Sequence, residues 1–434
     1  MTDIQQILES RKPLTLAGAP TGFLPSLMSD LARAAAFKDT PAVYIAPDDT
    51  AMRGLADAVR YFAPEIDIVV FPAWDCLPYD RASPSLRISA ERLAALHQLQ
   101  RNSAKPRVIA TTINAVTQRT LSPFRIRQLV THLAPGERID RDDLTAKLQA
   151  NGYIRVESVA DSGEYAVRGG ILDLFPSGEK EALRLDFFGD EIESIRRFDP
   201  ADQRTVGRAE SFTLLPASEA LLDAENIKRF RGRYRELFGA TATGDPLYQA
   251  ISEGRRLAGM EHWLPLFEDG LATVFDHLDT GALHVRDSGT PAAAEARFES
   301  ITDYHQNREN MRTSEPGSYR PLDPDTLYLP ENEWQAAIAE APLHLTSPFR
   351  EPDSDTVVDM EVGNARDFAP ERKANANIYE AVVSHIETLR KDGKTVVLGS
   401  YSRGARERLG GLLEEHGLTG ATVADDWQTA LGGD

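Results

Sequence analysis

The stretch "LTLAGAPTGFLPSLMSDLA", Leu14 to Ala32, decides how the first part of this chain folds. An apolar β-type run, Leu14–Ala17, enters a turn containing glycine and proline and leaves it as an amphipathic helix. That is the strand–loop–helix layout of a phosphate-binding P-loop. The chemistry of such a loop needs G-x-x-x-x-G-K-[ST]: backbone N–H groups cradle the phosphates, the lysine reaches the β/γ oxygens, and the hydroxyl holds Mg²⁺. With Gly18 as the first glycine, Phe23 stands at the second, Leu24 at the lysine and Pro25 at the Ser/Thr position. The cation, the metal-binding hydroxyl and one N–H are gone. The segment Gly18, Gly22, Phe23, Leu24, Pro25 is therefore expected to be a βα turn with the shape of a nucleotide site and none of its function.

Working outward, residues 1 to about 120 alternate strand and helix. Strand candidates are Leu14–Ala17, Val43–Ala46, Ile66–Phe71 and Val108–Thr111, with helical patterns near 26–37, 49–62 and 86–101. This alternation predicts a parallel sheet covered by helices. From about 125 the character changes. A short helix near 141–151 precedes "EYAVRGGILDLFP", "LRLDFFGDEIESIRRFD" and "SFTLLP", short alternating strands with Gly189-Asp190 where a two-residue hairpin turn belongs. The expected organisation is an α/β domain over 1–124, a small mixed domain with an antiparallel sheet over 125–213, and a helix-rich domain over 214–340. A polar, Pro-containing linker over 341–375 and a small, truncated α/β domain over 376–434 follow. In that last piece a helix at 376–391, a strand at Thr395–Gly399 and a helix at 402–416 are predicted.

Two other short motifs invite nucleotide chemistry. Gly393-Lys394-Thr395 follows a helix and precedes a strand, the reverse of a P-loop, and Thr388 stands where the first glycine belongs. Asp190-Glu191 resembles an Mg²⁺-binding acidic pair but falls in a hairpin turn, where solvation explains it. "FPAWDCLPYD" has prolines and aromatics suited to a rigid loop packed on a sheet edge.

The formal net charge of −19 argues against this chain being the main DNA-gripping part of anything. The single cysteine, Cys76, rules out an internal disulfide and suits a reducing, cytoplasmic compartment. No apolar run approaches the ~20 residues of a membrane span. The nine histidines have no metal-ligand spacing, so no metal site is expected. The ending "DDWQTALGGD" has no terminating pattern, which suggests a fragment of a longer protein.

Period-two alternation on 183–188 puts Leu183, Leu185 and Phe187 on a core face and Arg184, Asp186 and Phe188 on the other. Arg168 and the pair Arg196-Arg197 extend that second face. An arginine beside a non-core phenylalanine suits a protein-interface anchor; a solvated strand face with one stray aromatic gives the same pattern. Alternation alone leaves both open.

Four ordered blocks carry a resemblance: "VVFPAWDCLPYDRASPS…ISAERLAALHQL", "GEYAVRGGILDLFPSGEKEALRLDFFGDEIESIRRFDPADQRT", "TLLPASE" and "GMEHWLPLF…TVFDHL". Over about residues 10 to 330 they resemble the N-terminal half of the bacterial transcription-repair coupling factors (Mfd), and they are similar to the excision-repair protein UvrB. The resemblance implies UvrB-like domains on a RecA-like sheet. The P-loop is intact in UvrB and degenerate in the Mfd branch, as it is here. UvrB's long aromatic hairpin after the "LPYD" block has no room in this chain, where Tyr79-Asp80 runs directly into "RASPSLRISAERL". The module over 125–213 matches the one through which both families bind UvrA. The resemblance places the contact on Arg168, Arg184 and Phe188, with Asp186 and Arg196 at the rim. In this family the RNA-polymerase-binding module and the ATP- and Mg-dependent DNA translocase lie C-terminal to the matching region. The implied role is a non-catalytic segment, without cofactor of its own, that recruits UvrA in transcription-coupled repair. RNA polymerase and duplex DNA would then be bound by the part that follows. The alternatives are an active UvrB-like ATPase that binds damage and a regulatory scaffold that restrains the motor.

Overall fold

A computed structural model describes residues 2–38, 40–239, 244–278, 281–314, 319–340, 343–363 and 365–432. The chain divides into two units, the larger comprising residues 1–59 and 65–360.

The strands read from the sequence form at Thr15–Ala17, Ala42–Ala46, Asp67–Phe71 and Arg107–Thr112. Helices follow at Leu24–Ala36, Asp49–Phe62 and Leu86–Leu99. The sheet they build is wholly parallel but larger than expected. Its order is Val357–Asp359, Thr15–Ala17, Leu343–Thr346, Leu283–Arg286, Ala42–Ala46, Arg107–Thr112, Asp67–Phe71. Two of these strands come from the 341–375 stretch expected to be a linker, and Leu283–Arg286 comes from the stretch expected to be helix-rich with interspersed extended pieces. The apolar runs "LHVR" and "LHLT" are four residues each, too short to announce strands, yet both sit inside the sheet, where a buried strand needs no alternation. The first domain of the sequence is thus completed by chain from 283 to 359.

The module after Leu129 has its own core. Leu144 and Leu148 of the helix Arg141–Ala150 pack with Tyr165, Leu172, Leu174, Leu183, Leu185 and Ile195 on one face of a six-stranded sheet. Asp140 caps that helix, its carboxylate accepting from the N–H groups of Asp142 and Asp143. The principal strands are Glu164–Arg168, Ile171–Leu174, Ala182–Phe188, Glu191–Phe198 and Thr205–Arg208, all antiparallel neighbours. The two-residue turn Gly189-Asp190 joins the third and fourth, as expected.

The module sits directly on the parallel-sheet part. Gly178, at φ +85°, lies so close to the helix Leu86–Leu99 that a Cβ there would stand 2.9 Å from Ala94 Cβ. Next to this contact is a buried ion pair. The Arg92 guanidinium donates to Glu219 at 2.7 Å and to the Pro72 carbonyl at 2.7 Å, and Trp74 Nε1 donates to the same carboxylate at 2.7 Å. Arg92 also lies over the Phe71 ring, 4.5 Å from its centroid. Neither member of the pair is more than 1% exposed.

The second unit comprises residues 60–64 and 361–434. Its main helices are Ile378–Lys391 and Arg403–Glu415, joined by a cluster of Val383, Ile386, Leu413 and Leu418. The strand expected at Thr395–Gly399 does not form, and no strand is present among the described residues from 361 to 432. "TVVLG" has strand composition, but a strand exists only when a neighbour takes up its ladder, and Val397 and Leu398 remain exposed. Gly393 ends the preceding helix, its N–H donating to the Arg390 carbonyl, so Gly393-Lys394-Thr395 is a helix exit.

Removing one member of the buried pair strands the other. Glu219→Ala is expected to destabilise the larger unit by about 3–5 kcal/mol, whereas Arg92→Met with Glu219→Leu costs clearly less. Urea titrations of the three chains, followed by tryptophan fluorescence, measure the difference.

Candidate functional site

The loop at Gly18 joins strand to helix as expected, and several of its donors are engaged within the chain. The N–H groups of Gly18 and Ala19 donate to the carbonyls of Phe349 and Ser347, both at 2.8 Å. Phe23 N–H donates to Pro20 and Leu24 N–H to Thr21, closing a 3₁₀ turn at Thr21–Phe23 that plugs the helix entrance. Pro20 and Pro25 have no N–H to offer. Gly18 is at φ +65°, and a Cβ there would meet Asp359 Oδ1 at 3.2 Å, so a carboxylate stands where the first phosphate oxygens would approach. Leu24 and Pro25, at the lysine and hydroxyl positions, are buried in the helix's packing face. Gly22 is exposed.

The second candidate is the outer face of the module's sheet. Cross-strand register puts Arg168, Ile171, Asp186 and Ser194 in one row, and Ala166, Asp173, Arg184, Arg196 and Arg208 in the next. Leu183 and Leu185 are buried in the module core and Phe187 packs against it, as alternation predicts. A register shift between Asp186 and Phe187 keeps Phe187 opposite buried Ile192. Phe188, at the hairpin's end, is 80% exposed.

The arginines at positions 184 and 196 are each tied to a carboxylate. Arg184 forms a two-pronged pair with Asp173, Nε at 2.7 Å and Nη2 at 2.9 Å, and lies 4.7 Å over the Phe198 ring. Its side chain is 17% exposed and that of Asp173 only 2%. Donating to the Asp173 carboxylate raises the Arg184 pKa further above its ordinary value. Arg196 makes the matching pair with Asp186 at 2.8 Å, and Ser194 donates to the same carboxylate. Arg168 is exposed and donates to the Glu157 carbonyl. Behind Arg184 a second small cluster, Val159, Ala166, Ala182 and Phe198, covers the far end of this face and leaves the hairpin end open.

The structure therefore brings Arg168, Arg184, Asp186, Phe188 and Arg196 onto one face, with an aromatic at its tip and two locked ion pairs behind it. Sequence reasoning missed Asp173 and Phe198, the residues that fix Arg184. The signal for Asp173 was present: it is the acidic residue in "ILDLF", on the non-core side of a strand whose other side is leucine. Such a face can hold a protein surface by packing and by fixed guanidinium donors. Among the described residues, no group of three His, Cys, Asp or Glu side chains is arranged to hold a metal, and no helix is long and apolar enough to cross a membrane.

Fold and face together define a multidomain α/β chain with an interaction module, and comparison with known proteins specifies the module. Residues 131–219 match the family described as UvrB interaction domain. The wider chain is similar to transcription-repair-coupling factors. It is 33% identical to that of Escherichia coli over 375 residues, 86% of this chain and 32% of the relative. To that of Haemophilus influenzae it is 38% identical over 294 residues, 67% of this chain and 25% of the relative. To that of Myxococcus xanthus it is 35% identical over 309 residues, again 67% and 25%. The chain spans a quarter to a third of the length of these relatives.

Asp173→Asn keeps the shape of the locked pair and removes its charge. The variant is expected to lose about 1.5–3 kcal/mol of stability, the worth of a charge-assisted hydrogen bond, read by denaturant unfolding of the whole chain.

Proposed function

We propose that this chain is the recruiting segment of a transcription-coupled repair factor, and that the hairpin face of its module binds UvrA. The observation that carries the reading is Phe188, a large aromatic left 80% exposed on a strand whose neighbours are all tied down. Burying such a ring beside a pre-positioned guanidinium is how a few residues come to dominate an interface. Because Arg184 is held by Asp173 before any partner arrives, little side-chain freedom is lost on docking. Arg168 extends the contact on one side, and Asp186 with Arg196 forms its rim. RNA polymerase and duplex DNA are partners of the longer relatives' remaining length; the −19 charge of this chain fits that division.

In this reading the chain hydrolyses no ATP and needs no cofactor. The support is the loop's own hydrogen bonding: its leading N–H groups are spent on Phe349 and Ser347, and Asp359 faces Gly18. An ATP- and Mg-dependent motor belongs to the part of the relatives that this chain does not span. The chain acts by holding UvrA, once the motor has displaced a stalled polymerase, near the lesion.

Titrating the chain with UvrA tests both halves. Arg184→Ala with Phe188→Ala is expected to weaken binding at least ~30-fold, corresponding to ~2 kcal/mol or more, and the isolated chain is expected to bind no ATP. Unchanged affinity in the double variant removes the face from the account. Steady ATP turnover by the isolated chain favours an active UvrB-like enzyme instead.

A further inference from the structure

The parallel sheet has a second opening on the same edge as the closed loop. The strands Ala42–Ala46, Asp67–Phe71 and Arg107–Thr112 end there, and beyond them lies a cavity of about 720 Å³. Its size suits a small ligand, and the carboxyl edge of a parallel sheet is where α/β proteins bind them. Pro47, Trp74 and Asn114 reach it from the strand ends, and Asp75, Cys76 and Asp80 of the following loop line it together with Arg297 of the long helix Thr290–Ser314.

Arg297 is the unusual group. Its Nε is enclosed and finds no acceptor, and the guanidinium makes no ion pair among the described residues. Its favourable neighbours are the Tyr328 ring, 5.1 Å from the Cζ, and the nearby Cys76 and Tyr79. Arg92 and Arg184, the other well-enclosed guanidiniums described above, each have a carboxylate in two-pronged contact. Burial without such a partner pushes the Arg297 pKa down, the reverse of Arg184. An unpaired enclosed cation is costly, and it persists where something outside the chain supplies the charge.

The lining loop is pre-formed. Tyr79, buried behind the lining, is held at φ +56°, and Arg308 Nε donates to its carbonyl at 2.8 Å. Strain of this kind gathers at binding sites. Asp75 and Asp80 also line the cavity, Asp75 accepting from Ser85 N–H and Asp80 from Arg81 N–H. Asp80 is already paired with Arg308 at 3.9 Å, and the negative charge these two carboxylates bring to the lining disfavours a polyanion and suits a ligand with a single negative charge.

We propose that this cavity binds a carboxylate-bearing ligand, its carboxylate paired fork-to-fork with Arg297 and its body against Trp74 and Pro47. The site is independent of the UvrA-binding face. The carboxylate has two possible sources, a free organic acid or an acidic side chain of a peptide segment, and the same chemistry recognises either.

Cys76, the chain's one cysteine, lines the cavity and reports its occupancy. Alkylation of Cys76 in the 434-residue chain, followed by intact mass, is measured with benzoate, with an N-acetyl-glutamate amide and with inorganic phosphate at matched ionic strength. For a dissociation constant of about 1 mM, about 10 mM benzoate slows the reaction about tenfold, and phosphate does not. Arg297→Gln abolishes the protection and Arg297→Lys keeps part of it. Protection by the glutamate amide as strong as that by benzoate assigns the ligand to an acidic side chain; protection by benzoate alone assigns it to a free acid. No slowing by either carboxylate, equal slowing by phosphate, or slowing that survives Arg297→Gln overturns the proposal. If Arg297→Gln fails to fold, the wild-type comparison of carboxylates with phosphate decides it.

Discussion

The buried pair of Arg92 and Glu219 is the constraint on which the rest of the larger unit depends. It joins three distant pieces of chain: the loop leaving the strand Asp67–Phe71, the helix Leu86–Leu99, and the segment by which the chain returns from the inserted module. A buried ion pair adds little net stability over an apolar replacement, but it tolerates only one arrangement of its donors and acceptors. Here three donors converge on two carboxylate oxygens, so the return segment has a single seat. The tight approach of Gly178 to Ala94 and the hydrogen bond from Tyr153 to the Leu215 carbonyl fix the same boundary. The module's sheet is thereby presented by a rigid base rather than by a tether.

The closed loop follows from the same economy of partners. A P-loop is a set of unsatisfied N–H groups waiting for phosphate. In this chain Phe349 and Ser347 accept from Gly18 and Ala19, and the strand Val357–Asp359 pairs with Thr15–Ala17 just before the loop, so the turn is built into the sheet. Leu24 and Pro25 stand at the lysine and hydroxyl positions, and internal carbonyls accept from Gly18 and Ala19. What remains useful of the old scaffold is its rigidity, which carries the hairpin face.

Much of this was legible in the sequence, for identifiable reasons. The first four parallel strands, their helices, the module's hairpin and the two faces of 183–188 all rest on local periodicity and turn residues, which a single sequence displays directly. The strands Leu283–Arg286, Leu343–Thr346 and Val357–Asp359 were not legible, because four- or three-residue runs become strands only through neighbours far away in the chain. The strand expected at Thr395–Gly399 failed for the converse reason: the composition is right and no neighbour is present. At the candidate site, position on a face was readable and partnership was not. Arg184 looks like a free cation until the register sets Asp173 opposite it.

The central claim is that the hairpin face of the module is where UvrA docks. Amide hydrogen exchange of the chain with and without UvrA tests it most directly. The account predicts slowed exchange concentrated on 164–198, greatest around Phe188, with the Gly18 loop unchanged. Protection confined to other segments, with those strands exchanging as before, would contradict it.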